Sequence, residues 1–176
     1  MRTIWLVLGI WAITGTPAVC AEPGPGCTPV LNAMAKTMQT DHSAITQNGG
    51  RTSTGITAGG VDYLQIGGTW KVSPMSPQDN QKRSDENLRN AKTYTCQALP
   101  DSTIDGVTVA NYRTRTERQD AVVDSTVSIA KSTGLALRVE NDIDTGGGTK
   151  THYTTRYSYT GIQAPRPRSK TATTIN

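Results

Sequence analysis

Apolar and polar positions alternate most clearly in the second half of the chain. From Tyr94 onward the runs "TYTCQAL", "GVTVANYRTRTER", "AVVDSTVSIAK", "LALRVEND" and "KTHYTTRYSYT" repeat with period two, the spacing of half-buried β-strands. Val123, Val127 and Ile129 share one face. Leu135, Leu137 and Val139 share a face of the next run, and Tyr153, Tyr157 and Tyr159 a face of the last. Turn signals fall between the runs at Asp105-Gly106, near Gln119-Asp120, at Thr133-Gly134 and at Gly146 to Gly148. The pattern predicts an antiparallel meander with one face on a core and the other in water.

The first half is less regular. Thr28 suits an N-cap and Pro29 a first helical position, and Leu31, Met34, Ala35 and Met38 then recur at helical spacing. Residues 42–60 are rich in Gly and Thr and fit short strands or a loop equally well. "GGVDYLQIGGTWKVSP" predicts a hairpin that turns at Gly67-Gly68, with Trp70 on its second strand. The run after Ser76 and Pro77 has few apolar residues, so a helix there belongs on the surface.

Residues 1–21 carry an early Arg2, an apolar run from Ile4 to Ile13, and small residues before a cut near Ala21. This is the pattern of a secretory signal peptide. The run falls short of the roughly 20 residues that span a bilayer, so no transmembrane segment is expected in the mature chain, which is assigned to the periplasm or to secretion. Cys20 is a poor match to a lipidation site, because Pro17, Ala18 and Val19 precede it. With Cys20 removed, Cys27 and Cys96 remain and are expected to form a disulfide.

Composition changes the picture in two ways. The chain lacks Phe but is rich in Thr, Val, Ile and Tyr, which favours strands. Its net charge of +4 is confined to the ends, since residues 22–165 hold fourteen basic and fourteen acidic side chains. A phosphate-binding groove, and hence nucleic acid, is not indicated. Residues 22–165 are the length of a single domain, and 166–176 read as a disordered basic tail.

Candidate chemistry is sparse. "DTGGGTKTHY" has Thr149 between Gly148 and Lys150 and continues as a strand, so its glycines make a hairpin turn rather than a phosphate loop. Asp41, His42 and Ser43 are adjacent, and adjacent side chains on an extended chain point apart instead of converging as a triad. His152 is the only other histidine, and two histidines so far apart suggest no metal site. The acids of "NDIDTG" lack an EF-hand ladder. We therefore expect no enzyme, no metal and no cofactor.

The order of a helix after the signal, the hairpin "YLQIGGTWKV", the strand-turn "STVSIAKSTGLALRVEND" and the closing "TTRYSYTGIQAP" resembles the periplasmic half-barrel proteins of the LolA, LolB and LppX type. Ala130 and Ala136 stand where bulkier residues are usual in that group. The resemblance implies an α+β fold: a strongly curved antiparallel β-sheet, or half-barrel, with an N-terminal helix packed on its concave face. It also implies a role in shielding something apolar in the bacterial cell envelope. One short helix is too small to cover five or more strands, so the remaining apolar face must close, meet a partner or form a pocket. The expected ligand-binding set is Met34, Met38, Leu64, Ile66, Trp70, Val127, Ile129, Leu135, Leu137, Tyr153 and Tyr157. The expected occupant is an apolar small molecule such as a lipid or acyl chain; the alternative is an envelope protein partner docked on the same surface.

Overall fold

The computed structural model describes residues 23–166. The expected signal segment with Cys20, and all of the expected basic tail except Arg166, lie outside the described residues. A 3-10 turn, Pro25–Cys27, leads into α1 (Thr28–Gln39). Strands β1 (His42–Asn48), β2 (Arg51–Ala58), β3 (Val61–Ile66) and β4 (Thr69–Val72) follow, then α2 (Pro77–Arg89). The chain continues with β5 (Thr93–Ile104), β6 (Val107–Glu117), β7 (Val122–Ala130), β8 (Ala136–Asp144) and β9 (Lys150–Ser158).

All nine strands form one curved, open, antiparallel sheet in the order β4-β3-β2-β1-β9-β8-β7-β6-β5. It consists of two meanders joined where β1 pairs with β9, with Ala44 opposite Tyr157 and Thr46 opposite Thr155. The undecided stretch 42–60 is therefore a hairpin, turning at Gly49 and Gly50 with positive φ. β4 and β5 are the two edges. Pro100 lies on edge strand β5, where a missing N–H costs the ladder least, and the register shifts there between Leu99 and Ser102.

Cross-strand partners share a face, so the register sorts the side chains. Cys96, Thr114, Ser125, Val127, Ile129, Val139, Tyr157 and His42 face the helices. On that face Val127, Ile129, Ala136 and Val139 form a buried core with Val30 and Ala33 of α1, and Met34, Tyr112 and Tyr157 pack around it. Burying side chains the size of Val127, Ile129 and Val139 stabilises by roughly 1.5–3 kcal/mol each.

The predicted cap and apolar stripe of α1 are both shifted. The 3-10 turn runs straight into the helix, so Cys27 is the N-cap and Thr28 is already helical. Val30, Ala33 and Thr37 meet the sheet, while Leu31, Met34 and Ala35 turn towards Gln81, Ser84 and Leu88 of α2. α2 accounts for this rotation: a second helix on the same face takes up the stripe assigned to the sheet. α2 starts with a capping box, in which Ser76 Oγ accepts from Asp79 N at 3.2 Å and Asp79 accepts from Ser76 N at 3.0 Å. These bonds to Ser76 hold the Asp79 carboxyl below its usual range.

α1 is fixed to the sheet covalently and by hydrogen bonds. Cys27 and Cys96 are disulfide-bonded across a sequence separation of 69, with Cα atoms 5.0 Å apart. Lys36 Nζ donates to Thr133 O at 2.6 Å. Thr37 is almost fully buried, and its Oγ1 accepts from the backbone N–H of Ala136 at 3.0 Å and lies 3.2 Å from the Tyr159 hydroxyl. Tyr159 in turn donates to the Ala136 carbonyl. This three-way contact sits at a β-bulge, because Ser128 pairs with Arg138 but Ile129 pairs with Ala136, leaving Leu137 as the extra residue.

Candidate functional site

The bulge overturns one expected alternation. Leu135, Leu137 and Val139 do not share a face; the extra residue resets the phase, so Ala136 and Val139 take the core positions. Leu135 and Leu137 instead line a cavity of about 460 Å³ with Ile104, Val107 and Ala130. Arg138, Arg156, Ser158, Tyr159 and Thr160 complete one side, Tyr157 contributes, and Asp105 stands at the β5–β6 turn. Ala130, Val107, Arg138 and Arg156 belong to the outer face by register, so this cavity opens on the outer face and reaches the helix face at Tyr157 and Tyr159.

The eleven residues expected to line one concavity fall into separate places. Val127 and Ile129 are buried under α1 with Met34 and Tyr157 beside them; that part of the concave face is filled. Met38 is half-buried and borders a second cavity, of about 330 Å³, with His42, Thr57, Asp62, Pro77 and Asn80. Leu64 and Ile66 lie on the helix face but remain 44% and 54% exposed. Tyr153 is opposite Asn141 on the helix face and half-buried. Trp70 pairs with Gln65, one step out of phase with Leu64 and Ile66, and so sits on the opposite face of the sheet.

Outside the helices, strands β5 to β9 present rows of charge. Thr95, Arg115, Asp124, Asp142 and His152 are successive cross-strand partners. Arg115 bonds Asp124 and Glu117 at 2.9 Å, and His152 Nδ1 lies 2.9 Å from Asp142. The carboxylates on Arg115 hold its proton above the usual range, and Arg115 in turn lowers Glu117. A depression of about 650 Å³ runs along these rows. Its charges are largely satisfied by one another, and among the described residues no group of three or more His, Cys, Asp or Glu is placed to hold a metal ion.

His42 is buried, with Nδ1 2.7 Å from Thr40 O and its ring edge-on to Tyr157 at 5.4 Å. Asp41 instead accepts from Gly59 N at 2.9 Å, and Ser43 lies on the other face, so the adjacent triplet does not converge. Asp62 binds Thr57 Oγ1 at 2.6 Å and Asn80 Nδ2 at 2.8 Å, anchoring α2 to the sheet. Burial raises the phenols of Tyr94 and Tyr157, and pushes Tyr159 up to about 12.

Reasoning from the sequence missed Ile104, Val107, Ala130, Arg138 and Arg156. The two arginines were visible as polar positions out of phase with Val139 and Tyr157, but only strand pairing brings them together. Among the described residues no helix is long and apolar enough to cross a membrane.

No protein-family model matches the chain, and no curated protein matches it by sequence. Among solved structures, the chain is similar to LprF from Mycobacterium bovis, at 12% identity and a TM-score of 0.46 over 82% of this chain and 98% of that one. It is also similar to the Mycobacterium tuberculosis lipoprotein LppX, at 12% identity and a TM-score of 0.44 over 78% and 100%. A third similar structure is MucB, at 13% identity and a TM-score of 0.44, covering 81% of this chain and 62% of MucB.

Proposed function

We propose that this chain is a non-enzymatic binding protein of the bacterial cell envelope, exported by residues 1–21. In this reading residues 22–165 act as one domain and hold an apolar ligand, such as a lipid or acyl chain. The observation that carries it is the cavity where Leu135, Leu137 and Tyr157 meet Ile104, Val107 and Ala130. Its volume of about 460 Å³ lies within the roughly 300–1,000 Å³ usual for small-molecule sites. The ligand region is thereby moved from the concave face, which α1 fills, to the outer side of the β7–β8 bulge. Mass spectrometry of protein purified from the envelope under gentle conditions tests this. A co-purified lipid, lost in Leu137→Asp, is the expected result; a bare chain that takes up no lipid from a panel would overturn it.

A second reading, docking of an envelope protein, is favoured by a different observation. Ile45, Leu64, Ile66 and Val72 are 44%, 44%, 54% and 65% exposed, and all lie on strands β1 to β4. A partner using these strands is lost on Val72→Lys with Ile66→Lys, whereas lipid uptake is unaffected.

A further inference from the structure

The outer-face cavity carries charge as well as apolar wall. Arg138 and Arg156 are direct cross-strand partners and both line it. Like charges directly opposite one another on a sheet are destabilising unless something offsets them. Arg138 is paired with Glu140. Arg156 is exposed, and among the described residues it has no carboxylate within ion-pairing distance.

Its other cross-strand neighbour is Ile45, which is apolar and exposed. The one carboxylate that lines the cavity, Asp105, comes from the β5–β6 turn. β6 is three strands from β9 in the sheet order, about 14 Å at the usual strand spacing. The cavity thus has an apolar body of Ile104, Val107, Ala130, Leu135 and Leu137 and a cationic end at Arg156. A guanidinium is weakly hydrated and binds carboxylate or phosphate oxygens in pairs.

We propose that this site selects a single-chain amphiphile with an anionic head, its chain against the apolar wall and its carboxylate or phosphate on Arg156, with Arg138 alongside. This rests on the apolar-ligand reading above and adds the charge of the head.

Calorimetric titration of the delipidated protein tests it with four probes: dodecanoate, dodecyl phosphate, neutral dodecyl maltoside, and inorganic phosphate, the amphiphiles kept below micelle formation. Both anionic amphiphiles are expected to bind at least about tenfold more tightly than the maltoside, the scale of one charged hydrogen-bonded contact, and to weaken as salt rises. Arg156→Gln is expected to remove that preference by weakening both anionic amphiphiles towards the maltoside, while Arg156→Lys keeps part of it. If maltoside binds as tightly as the anions and Leu137→Asp removes it, the anionic selection is wrong and the apolar-ligand reading stands. If inorganic phosphate alone binds as tightly as dodecyl phosphate, the site is a plain anion site and the amphiphile is overturned. If no alkyl probe binds, both readings fall.

Discussion

The two halves of the sheet use similar alternating sequences to different ends. On strands β5 to β9, α1 lies over one face and buries Val127, Ile129, Ala136 and Val139, while the other face is occupied largely by paired charges. On strands β1 to β4, α2 meets the sheet through the polar contact of Asn80 with Asp62 and otherwise lies beside Leu31, Met34 and Ala35 of α1. Apolar residues there stay in water on both faces: Leu64 and Ile66 on one, Ile45 and Val72 on the other. Alternation fixes which side chains share a face; a helix with an apolar underside decides whether that face becomes a core. α2 buries only Pro77 among its own residues, so it covers without building one.

The largest way to break this contrast is to free α1. Replacing Cys27 and Cys96 by Ala is expected to lower stability by about 4 kcal/mol on the chain-entropy model, read as a shift in the urea midpoint; an unchanged midpoint would mean that α1 is held by packing alone. Next is Thr37→Val, which strips the Ala136 N–H and the Tyr159 hydroxyl of a buried partner and is expected to cost about 1–3 kcal/mol. The matching change on the other half, Asp62→Ala, should cost about 1 kcal/mol, since its partners are nearer water. Equal losses would erase the distinction between a packed and a merely anchored helix.

Alkali sharpens the same contrast more gently. Tyr159 titrates at about 12 when folded against roughly 10 when unfolded, so the unfolded chain loses its proton first. Stability is full below pH 10 and falls as pH rises towards 12. Tyr159→Phe should flatten the urea midpoint against pH above 10; an unchanged slope would assign it to other tyrosines. The smallest effect belongs to the surface. Arg115→Ala, whose ion pairs are exposed, is expected to change stability only slightly, and Val72→Lys to cost less than about 0.5 kcal/mol, both read by thermal unfolding.

Much of the fold was legible because its signals are local. The strands after Tyr94, the hairpin at Gly67-Gly68, the turn at Gly146 to Gly148 and the Cys27–Cys96 bond each follow from neighbouring residues or from a count of two. The hairpin at 42–60 was not, since its scattered Thr, Ser and Gly leave no continuous apolar side. The site was less legible still. One inserted residue at Leu137 changes which leucines meet the core, and nothing in "GLALRVEND" marks it. Trp70 lies on the face opposite to the expected one for a related reason: its face depends on hairpin register, which the alternation of the run alone does not settle. Arg138 and Arg156 are eighteen positions apart in sequence and meet only through pairing.

The Cys27–Cys96 bond also has a topological reach. The covalent ring it closes contains α1, α2 and every strand from β1 to β4, so half of the sheet is threaded on a loop whose ends are one bond. A protease that cuts once anywhere between Thr28 and Thr95 opens the ring without releasing a fragment. The nicked molecule would run as one species on a denaturing gel until a reductant separates it into two. The half with the exposed Ile45, Leu64, Ile66 and Val72 is therefore the half that a single cut within it cannot shed.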